Sequence, residues 1–125
     1  MLKKSIQTGK APAAIGPYSQ GILAEKYLFV SGQLPLDPVT GVLPEDIKSQ
    51  TAQSIKNVQA VLQAAGGDLA NIIKTTVFLT DMKDFNAVNG VYAAFMKENP
   101  PARSAVQVAA LPKGAHVEIE AIAYI

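Results

Sequence analysis

Hydrophobic residues recur with the period of a helix in two segments of this chain. Between residues 46 and 65 they fall every three or four positions, the spacing of one helical face, and Gly66 and Gly67 follow as a C-terminal stop. A second segment begins among candidate caps at residues 81–84 and runs to about Asn99, where Pro100 and Pro101 end it. Its apolar face consists of Phe85, Val88, Tyr92, Phe95 and Met96. The pattern therefore predicts two amphipathic helices.

Five shorter segments have the β-branched content or the alternation that is typical of strands. They span residues 19–25, 27–31, 72–79, 103–110 and 116–124. Glu25 and Lys26 form the predicted turn between the first two, whereas the two prolines and the glycine within residues 34–41 predict a loop. The predicted order is ββαβαββ, an α/β (α+β) arrangement that forms one domain over residues 1–125.

Both helices are expected on one face of the sheet, because each presents a single apolar stripe. Alternation along the last strand assigns Val117, Ile119, Ala121 and Ala123 to the helices and Glu118, Glu120, Ile122 and Tyr124 to the other face. The preceding strand behaves similarly, because Arg103, Ala105, Gln107 and Ala109 share a face. Depending on the register, Arg103 could then approach Glu118 on the same face. A face that mixes carboxylates with apolar groups predicts an interface between copies of the chain that encloses a polar site.

The composition narrows the possible chemistry. Eleven Lys and Arg against ten Asp and Glu give a net charge of +1, which argues against nucleic acid or an anionic membrane as a partner. With no cysteine and one histidine, His116, the chain offers neither a thiol nucleophile nor the ligands of a metal site, so no metal is expected.

Hydropathy and charge also bear on location and assembly. No window approaches the roughly 20 apolar residues that span a bilayer, and the N-terminus lacks the apolar run of a signal peptide, so we expect a cytoplasmic protein. Only 17% of the residues are charged, against roughly 25% in a typical soluble domain. This low fraction predicts that another subunit covers part of the surface.

Arg103 and Glu118 are the charged residues with the clearest chemical possibilities. The planar guanidinium of Arg103 suits a carboxylate held through two parallel hydrogen bonds, although a lone arginine is also commonly exposed or structurally paired. If the last two strands pair, Glu118 is either the salt-bridge partner of Arg103 or a general base that orients a water. Glu120 faces the same way, and its charge would raise the pKa of one of the two carboxyls.

Four further positions have both a structural and a functional reading. Tyr18 follows the rigid Gly16–Pro17 turn and either packs or touches a ligand. Ser31 and Gly32 end a strand, where a missing Cβ permits either a bulge or a close ligand. Asn89 lies beside the apolar stripe of the second helix and either bonds its neighbours or supports a site. His116 is expected to be exposed to solvent.

Several spaced motifs, taken together, resemble the reactive intermediate deaminase family, also called the YjgF family, over essentially all 125 residues. They are Ala14-Ile15-Gly16-Pro17-Tyr18-Ser19-Gln20, Val30-Ser31-Gly32-Gln33-Leu34-Pro35, Lys74-Thr75-Thr76-Val77-Phe78-Leu79, Pro101-Ala102-Arg103-Ser104 and Val117-Glu118-Ile119-Glu120-Ala121. The resemblance implies a chorismate-mutase-like fold, assembled as a homotrimer with clefts between subunits. It also implies cofactor-independent hydrolysis of 2-imino acids, such as 2-iminopropanoate and 2-iminobutanoate, to 2-oxo acids and ammonia.

The resemblance also assigns roles to residues. It implies that Arg103 clamps the substrate carboxylate, that Glu118 positions the attacking water and that Tyr18 lines the cleft. Supporting residues are Ser31, Gly32, Asn89, Ala105 and Glu120. Many relatives carry a cysteine where this chain has Ala105, which affects the expected substrate range more than the reaction type. The alternatives are a regulatory protein that binds small carboxylates without turnover and a ribonuclease or translation inhibitor.

Overall fold

The computed structural model describes residues 2–125. Within this range the chain forms six strands and two α-helices. In chain order they are β1 (Lys3–Ile6), β2 (Gly21–Ala24), β3 (Tyr27–Gln33), α1 (Ile47–Ala64), β4 (Ile72–Leu79), α2 (Phe85–Phe95), β5 (Ala102–Gln107) and β6 (Val117–Tyr124). Neither helix is long and apolar enough to cross a membrane.

All six strands form one sheet in the order β1-β2-β3-β6-β4-β5. Neighbours are antiparallel except for β4 and β5, which are parallel and joined through α2. Helix α1 packs on β3 and β6 and beside α2, while α2 reaches β4 through a hydrogen bond between Tyr92 and Thr75. The predicted α+β class, with both helices on one face, is confirmed.

Helix α1 has the predicted position because its ends are set locally. The Asp46 carboxylate accepts a hydrogen bond of 2.9 Å from the Ser49 amide at the N-terminus. At the other end Gly66 adopts a φ of +90°, which favours glycine. The stripe of Ile55, Val58 and neighbouring apolar residues is fully buried.

Helix α2 and strand β5 are shorter than the sequence pattern predicts. The helix stops at Phe95, not near Asn99. Asn99 takes a φ of +47°, outside the right-handed helical region that the following Pro100 disfavours. Strand β5 pairs only with β4 and ends at Gln107, opposite the last residue of β4, Leu79.

Strand β1 is an addition to the predicted order. It pairs antiparallel with β2 at the edge of the sheet, and only Ile6 of its four residues is buried. A strand that is almost entirely exposed and carries Lys3 and Lys4 has no hydrophobic alternation to reveal it, and lysines are common on sheet edges because they oppose further pairing.

The conditional expectation that the last two strands pair is wrong. Strand β4 lies between them, because the β4-α2-β5 crossover places β5 directly beside β4 and leaves the other side of β4 to β6. In this register Arg103 lies opposite Thr75 and Glu118 lies opposite Phe78. The two charged residues are therefore on non-adjacent strands.

The close approach of β2 to α1 yields a test of the packing. A Cβ atom at Gly21 would lie 2.8 Å from Val61 Cγ1, inside the core, whereas one at Gly9 would have no neighbour within 4 Å. We expect Gly21→Ala to lower the free energy of unfolding by about 1–3 kcal/mol through overpacking. Urea denaturation measures this, with Gly9→Ala as the control, and equal stability of the two variants would contradict the packing described.

Candidate active site

A cleft of about 650 Å³ opens on the sheet face opposite the helices. Its polar lining includes Tyr18, Ser31, Glu118 and Glu120, and its apolar lining includes Ile15, Leu34, Leu36 and Phe78. Glu118 is partly buried, whereas Glu120 and the ring of Tyr18 are exposed. The sequence correctly assigned both carboxylates to this open face.

A β-bulge shapes the floor of this cleft. Val30 pairs with Ala121 and Gln33 pairs with Ile119, so Ser31 and Gly32 together occupy the space opposite a single residue of β6. At the bulge the backbone of Gly32 lies against the Glu118 carboxyl. The approach is so close that a Cβ atom at Gly32 would lie 2.8 Å from Glu118 Cδ. A larger residue at this position would displace the carboxylate.

The wall of the cleft is held by a buried glutamine that sequence reasoning did not single out. Gln20 is 3% exposed; its amide nitrogen donates to the Thr8 and Pro12 carbonyls, and its oxygen accepts from the Thr8 amide at 2.7 Å. The Gln20 carbonyl in turn accepts from the Ser31 amide, and Ser31 Oγ donates to the Ser19 carbonyl at 2.6 Å. Gln20 thus ties the segment before Tyr18 to the bulge. Only its place in the Tyr18 motif could have drawn attention to it.

Electrostatics distinguish Glu118 from an ordinary surface carboxylate. Burial raises the pKa of the Glu118 carboxyl, and the negative charge of Glu120 adds to the rise. A carboxylate with a raised pKa is a better proton acceptor than a free one, so Glu118 is suited to general-base chemistry.

Arg103 lies elsewhere, on the side of the sheet that faces α2. Its Nη1 atom donates to Asn89 Oδ1 at 2.8 Å, and its guanidinium carbon lies 5.5 Å from the ring centroid of Phe85 and 4.9 Å from that of Tyr92. A cavity of about 430 Å³ adjoins it, lined by Met82, Phe85, Arg103 and Ala105. The expectation that Arg103 could share a face with Glu118 is therefore wrong.

The structure divides the expected site residues into two groups. The open-face group contains Tyr18, Ser31, Gly32, Glu118 and Glu120, and the α2-face group contains Asn89, Arg103 and Ala105. From the register, Arg103 and Glu118 are three residues apart along the strands and two strands apart across them, which is roughly 14 Å within the sheet. A salt bridge between them within one chain is excluded by this arrangement.

Two aromatic residues that the sequence assigned only to the core also belong to the α2-face group. Phe85, Asn89 and Tyr92 are spaced i, i+4 and i+7, so they share one face of α2 and together contact the guanidinium. That spacing was the available signal. His116 is exposed, as predicted, and its Nδ1 atom lies 3.1 Å from Thr80 Oγ1.

Comparison with known proteins places the molecule among small α+β proteins with the same fold. A family model described as Endoribonuclease L-PSP matches residues 8–125. The chain belongs to this family, which includes the reactive intermediate deaminases.

Individual relatives match nearly the whole chain. A Homo sapiens protein named 2-iminobutanoate/2-iminopropanoate deaminase is 48% identical over 98% of this chain and 90% of its own length. A Salmonella typhimurium protein of the same name is 50% identical over 98% of each chain. The crystal structure of E. coli TdcF with bound serine is 49% identical, covers 98% of both chains and superposes with a TM-score of 0.95.

The raised pKa of Glu118 predicts a pH-dependent gain in stability for Glu118→Gln. The folded wild type binds this proton more tightly than the unfolded chain, so its stability falls as pH rises through the raised pKa. Glutamine does not ionise, so the variant should be more stable than wild type at pH 7. The difference should shrink below about pH 4, where both states of wild type are protonated.

Urea denaturation at both pH values measures this difference. Glu98→Gln, at an exposed position outside the cleft, is the matched control and should show no pH-dependent gain. A Glu118→Gln variant that is equally or less stable than wild type at pH 7 would contradict the electrostatic description of the cleft.

Proposed function

We propose that the protein is a 2-iminobutanoate/2-iminopropanoate deaminase, which hydrolyses small 2-imino acids to 2-oxo acids and ammonia. The observation that carries the proposal is the Glu118 carboxylate, held against Gly32 in an open cleft with a raised pKa. About half of the sequence is identical to proteins that are named for this activity. TdcF, which is 49% identical to this chain, has been crystallised with bound serine, a small amino acid similar in size to the proposed substrates.

The reaction needs few groups, because an imine carbon is already electrophilic. Glu118 accepts one proton from a water as the water oxygen bonds to the imine carbon. Glu118 passes this proton to the imine nitrogen, which becomes an amine, so the product of this addition is a carbinolamine. Glu118 then accepts the hydroxyl proton of the carbinolamine and transfers it to the amine nitrogen as the carbon–nitrogen bond breaks, which releases ammonia and the 2-oxo acid. Tyr18 and Ser31 line the space around the reacting carbon in this proposal.

Arg103 is the proposed clamp for the substrate carboxylate. In a 2-imino acid the carboxylate is bonded directly to the imine carbon, so the clamp and the base must act within a few ångströms of each other. Within one chain the two groups are roughly 14 Å apart and on opposite faces. The proposal therefore requires Arg103 of one copy to meet Glu118 of another.

Exposed apolar residues on the open face support such an assembly. Tyr27, Phe29 and Tyr124 are each 46% exposed, and the rings of Tyr27 and Tyr124 contact edge to face with centroids 5.2 Å apart. A band of this kind is typical of an interface between subunits. Contact between two different surfaces repeats around a ring, and we propose the homotrimer that the family resemblance implies.

Ala105 is proposed to contact the substrate through its backbone. It lies on β5 two residues after Arg103 and lines the same cavity. Because a water is the nucleophile in this mechanism, the missing thiol removes no reacting group. The methyl side chain leaves more room beside the guanidinium than a cysteine would.

A ribonuclease activity, suggested by the name of the family model, is less consistent with the cleft. An RNA backbone binds through clusters of Lys and Arg, whereas this cleft is lined by Glu118, Glu120 and one cation, Lys113.

A protein that binds small carboxylates without turnover is the second alternative. It would use the same open-face and α2-face groups of residues, so kinetic measurements distinguish an enzyme from a binder.

Variants of the two charged residues separate enzyme from binder. Arg103→Ala removes charge-assisted hydrogen bonds worth about 1.5–3 kcal/mol each, so binding of 2-oxobutanoate and turnover at substrate concentrations below KM should both collapse, and Arg103→Lys should rescue little. Glu118→Gln should lower kcat by roughly 10²–10⁴-fold and leave that affinity nearly unchanged. Iminopropanoate generated in situ by a coupled enzyme is the substrate, and calorimetry measures affinity. Wild-type turnover by a folded Glu118→Gln variant would rule out the base assignment.

Mixing the two impaired variants, assayed at a substrate concentration below KM, tests whether the site is shared between copies. When Arg103→Ala and Glu118→Gln subunits are dissociated and reassembled at equal amounts, about a quarter of the interfaces combine an intact Arg103 with an intact Glu118. Activity should then return to about a quarter of the wild-type value. Each variant reassembled alone is the control, and sedimentation reports whether the complexes are trimers. Full reassembly without any recovered activity would show that the site does not form between copies.

A further inference from the structure

Helix α2 contacts the Arg103 guanidinium through two aromatic rings as well as through Asn89. Phe85 and Tyr92 are seven residues apart, which is two helical turns or about 10.5 Å. The guanidinium carbon lies 5.5 Å from one ring centroid and 4.9 Å from the other, so the guanidinium lies between the two rings. Asn89, midway along the helix between them, accepts the Nη1 hydrogen bond.

Tyr92 is itself held by a buried hydrogen bond to the sheet. Its hydroxyl lies 2.7 Å from Thr75 Oγ1, with Thr75 0% exposed and Tyr92 6% exposed. Thr75 lies directly opposite Arg103 in the β4-β5 ladder. The ring that contacts the guanidinium is therefore anchored to the strand next to the one that carries Arg103.

We infer that Thr75 and Tyr92 are positioning residues, which set the orientation of the Arg103 guanidinium for carboxylate binding. This inference rests on the proposed function, in which Arg103 is the carboxylate clamp. A bidentate carboxylate needs two of the five guanidinium N–H donors in a fixed plane. The Tyr92 ring restricts that plane through a cation–π contact, and Asn89 restricts it by accepting a hydrogen bond from one guanidinium donor.

The kinetic signature of this role differs from that of a purely structural one. The substrate carboxylate keeps its charge throughout hydrolysis, so a clamp on it stabilises the bound substrate and the transition state equally. Loss of orientation at Arg103 should therefore raise KM and leave kcat nearly constant. Loss of structure should instead lower the folded fraction without a change in KM.

Variants of the pair test the inference. Tyr92→Leu removes the aromatic face and should raise KM for iminopropanoate and Kd for 2-oxobutanoate about tenfold, with kcat within about twofold of wild type. Tyr92→Phe keeps the ring and should recover most of the lost affinity. Because each single hydroxyl deletion leaves its partner buried and unpaired, Thr75→Val and Tyr92→Phe should each be less stable than the double variant. The double variant should still show a raised KM of about two- to threefold.

Thr51→Val is the matched control. Thr51 is also a fully buried threonine, and its hydroxyl donates to the Ile47 carbonyl at 2.8 Å, inside α1 and away from Arg103. It should lose stability without a change in KM. A folded Tyr92→Leu variant with wild-type KM and Kd would overturn the inference. If Tyr92→Leu does not fold, a wild-type KM in both Tyr92→Phe and the double variant would overturn it equally.

Arg103→Ala separates the two levels of the proposal. If its affinity for 2-oxobutanoate collapses while the Tyr92 and Thr75 variants bind normally, only the positioning role fails. If Arg103→Ala binds 2-oxobutanoate as well as wild type does, Arg103 is not the clamp, and the proposed function fails together with the inference.

Discussion

Side chains along a strand point alternately to the two faces of a sheet, and both helices of this protein cover the same face. On β6 this alternation buries Val117 and Ile119 in the core and leaves Glu118 between them on the open face. On β5 it turns Arg103 towards α2. A single chain therefore separates the two groups that the proposed chemistry has to combine, and in the proposed assembly a second copy completes the site.

A local irregularity in the sheet shapes the cleft around Glu118. The bulge at Ser31 and Gly32 interrupts the ladder beside Glu120 and admits the Glu118 carboxylate against the backbone. The same close packing keeps water partly away from Glu118, which is why its pKa is raised. The cleft thus combines an interrupted ladder, a position without a side chain and a partly buried carboxylate.

Elements with a strong hydrophobic period could be predicted from the sequence. Helix α1 and strand β4 lie where the pattern placed them, because an apolar stripe with local caps defines α1 and a dense apolar, β-branched run defines β4. Strand β1 was not predicted, since it buries only Ile6. The end of β5 was misplaced because it depends on where β4 stops, which is a property of the partner strand and not of β5 itself.

The candidate site, like the fold, was predicted only in part from the sequence. The sequence by itself determined the candidate residues for the proposed chemistry, since Arg103, Glu118, Tyr18 and Gly32 stand in spaced motifs, and period-two alternation placed Glu118 on the open face. Only the tertiary structure decided that Arg103 faces α2 between two aromatic rings. That outcome depends on which strand lies beside β4, and strand order follows from the crossover connection and the burial of α2, neither of which leaves a periodic signal within β5.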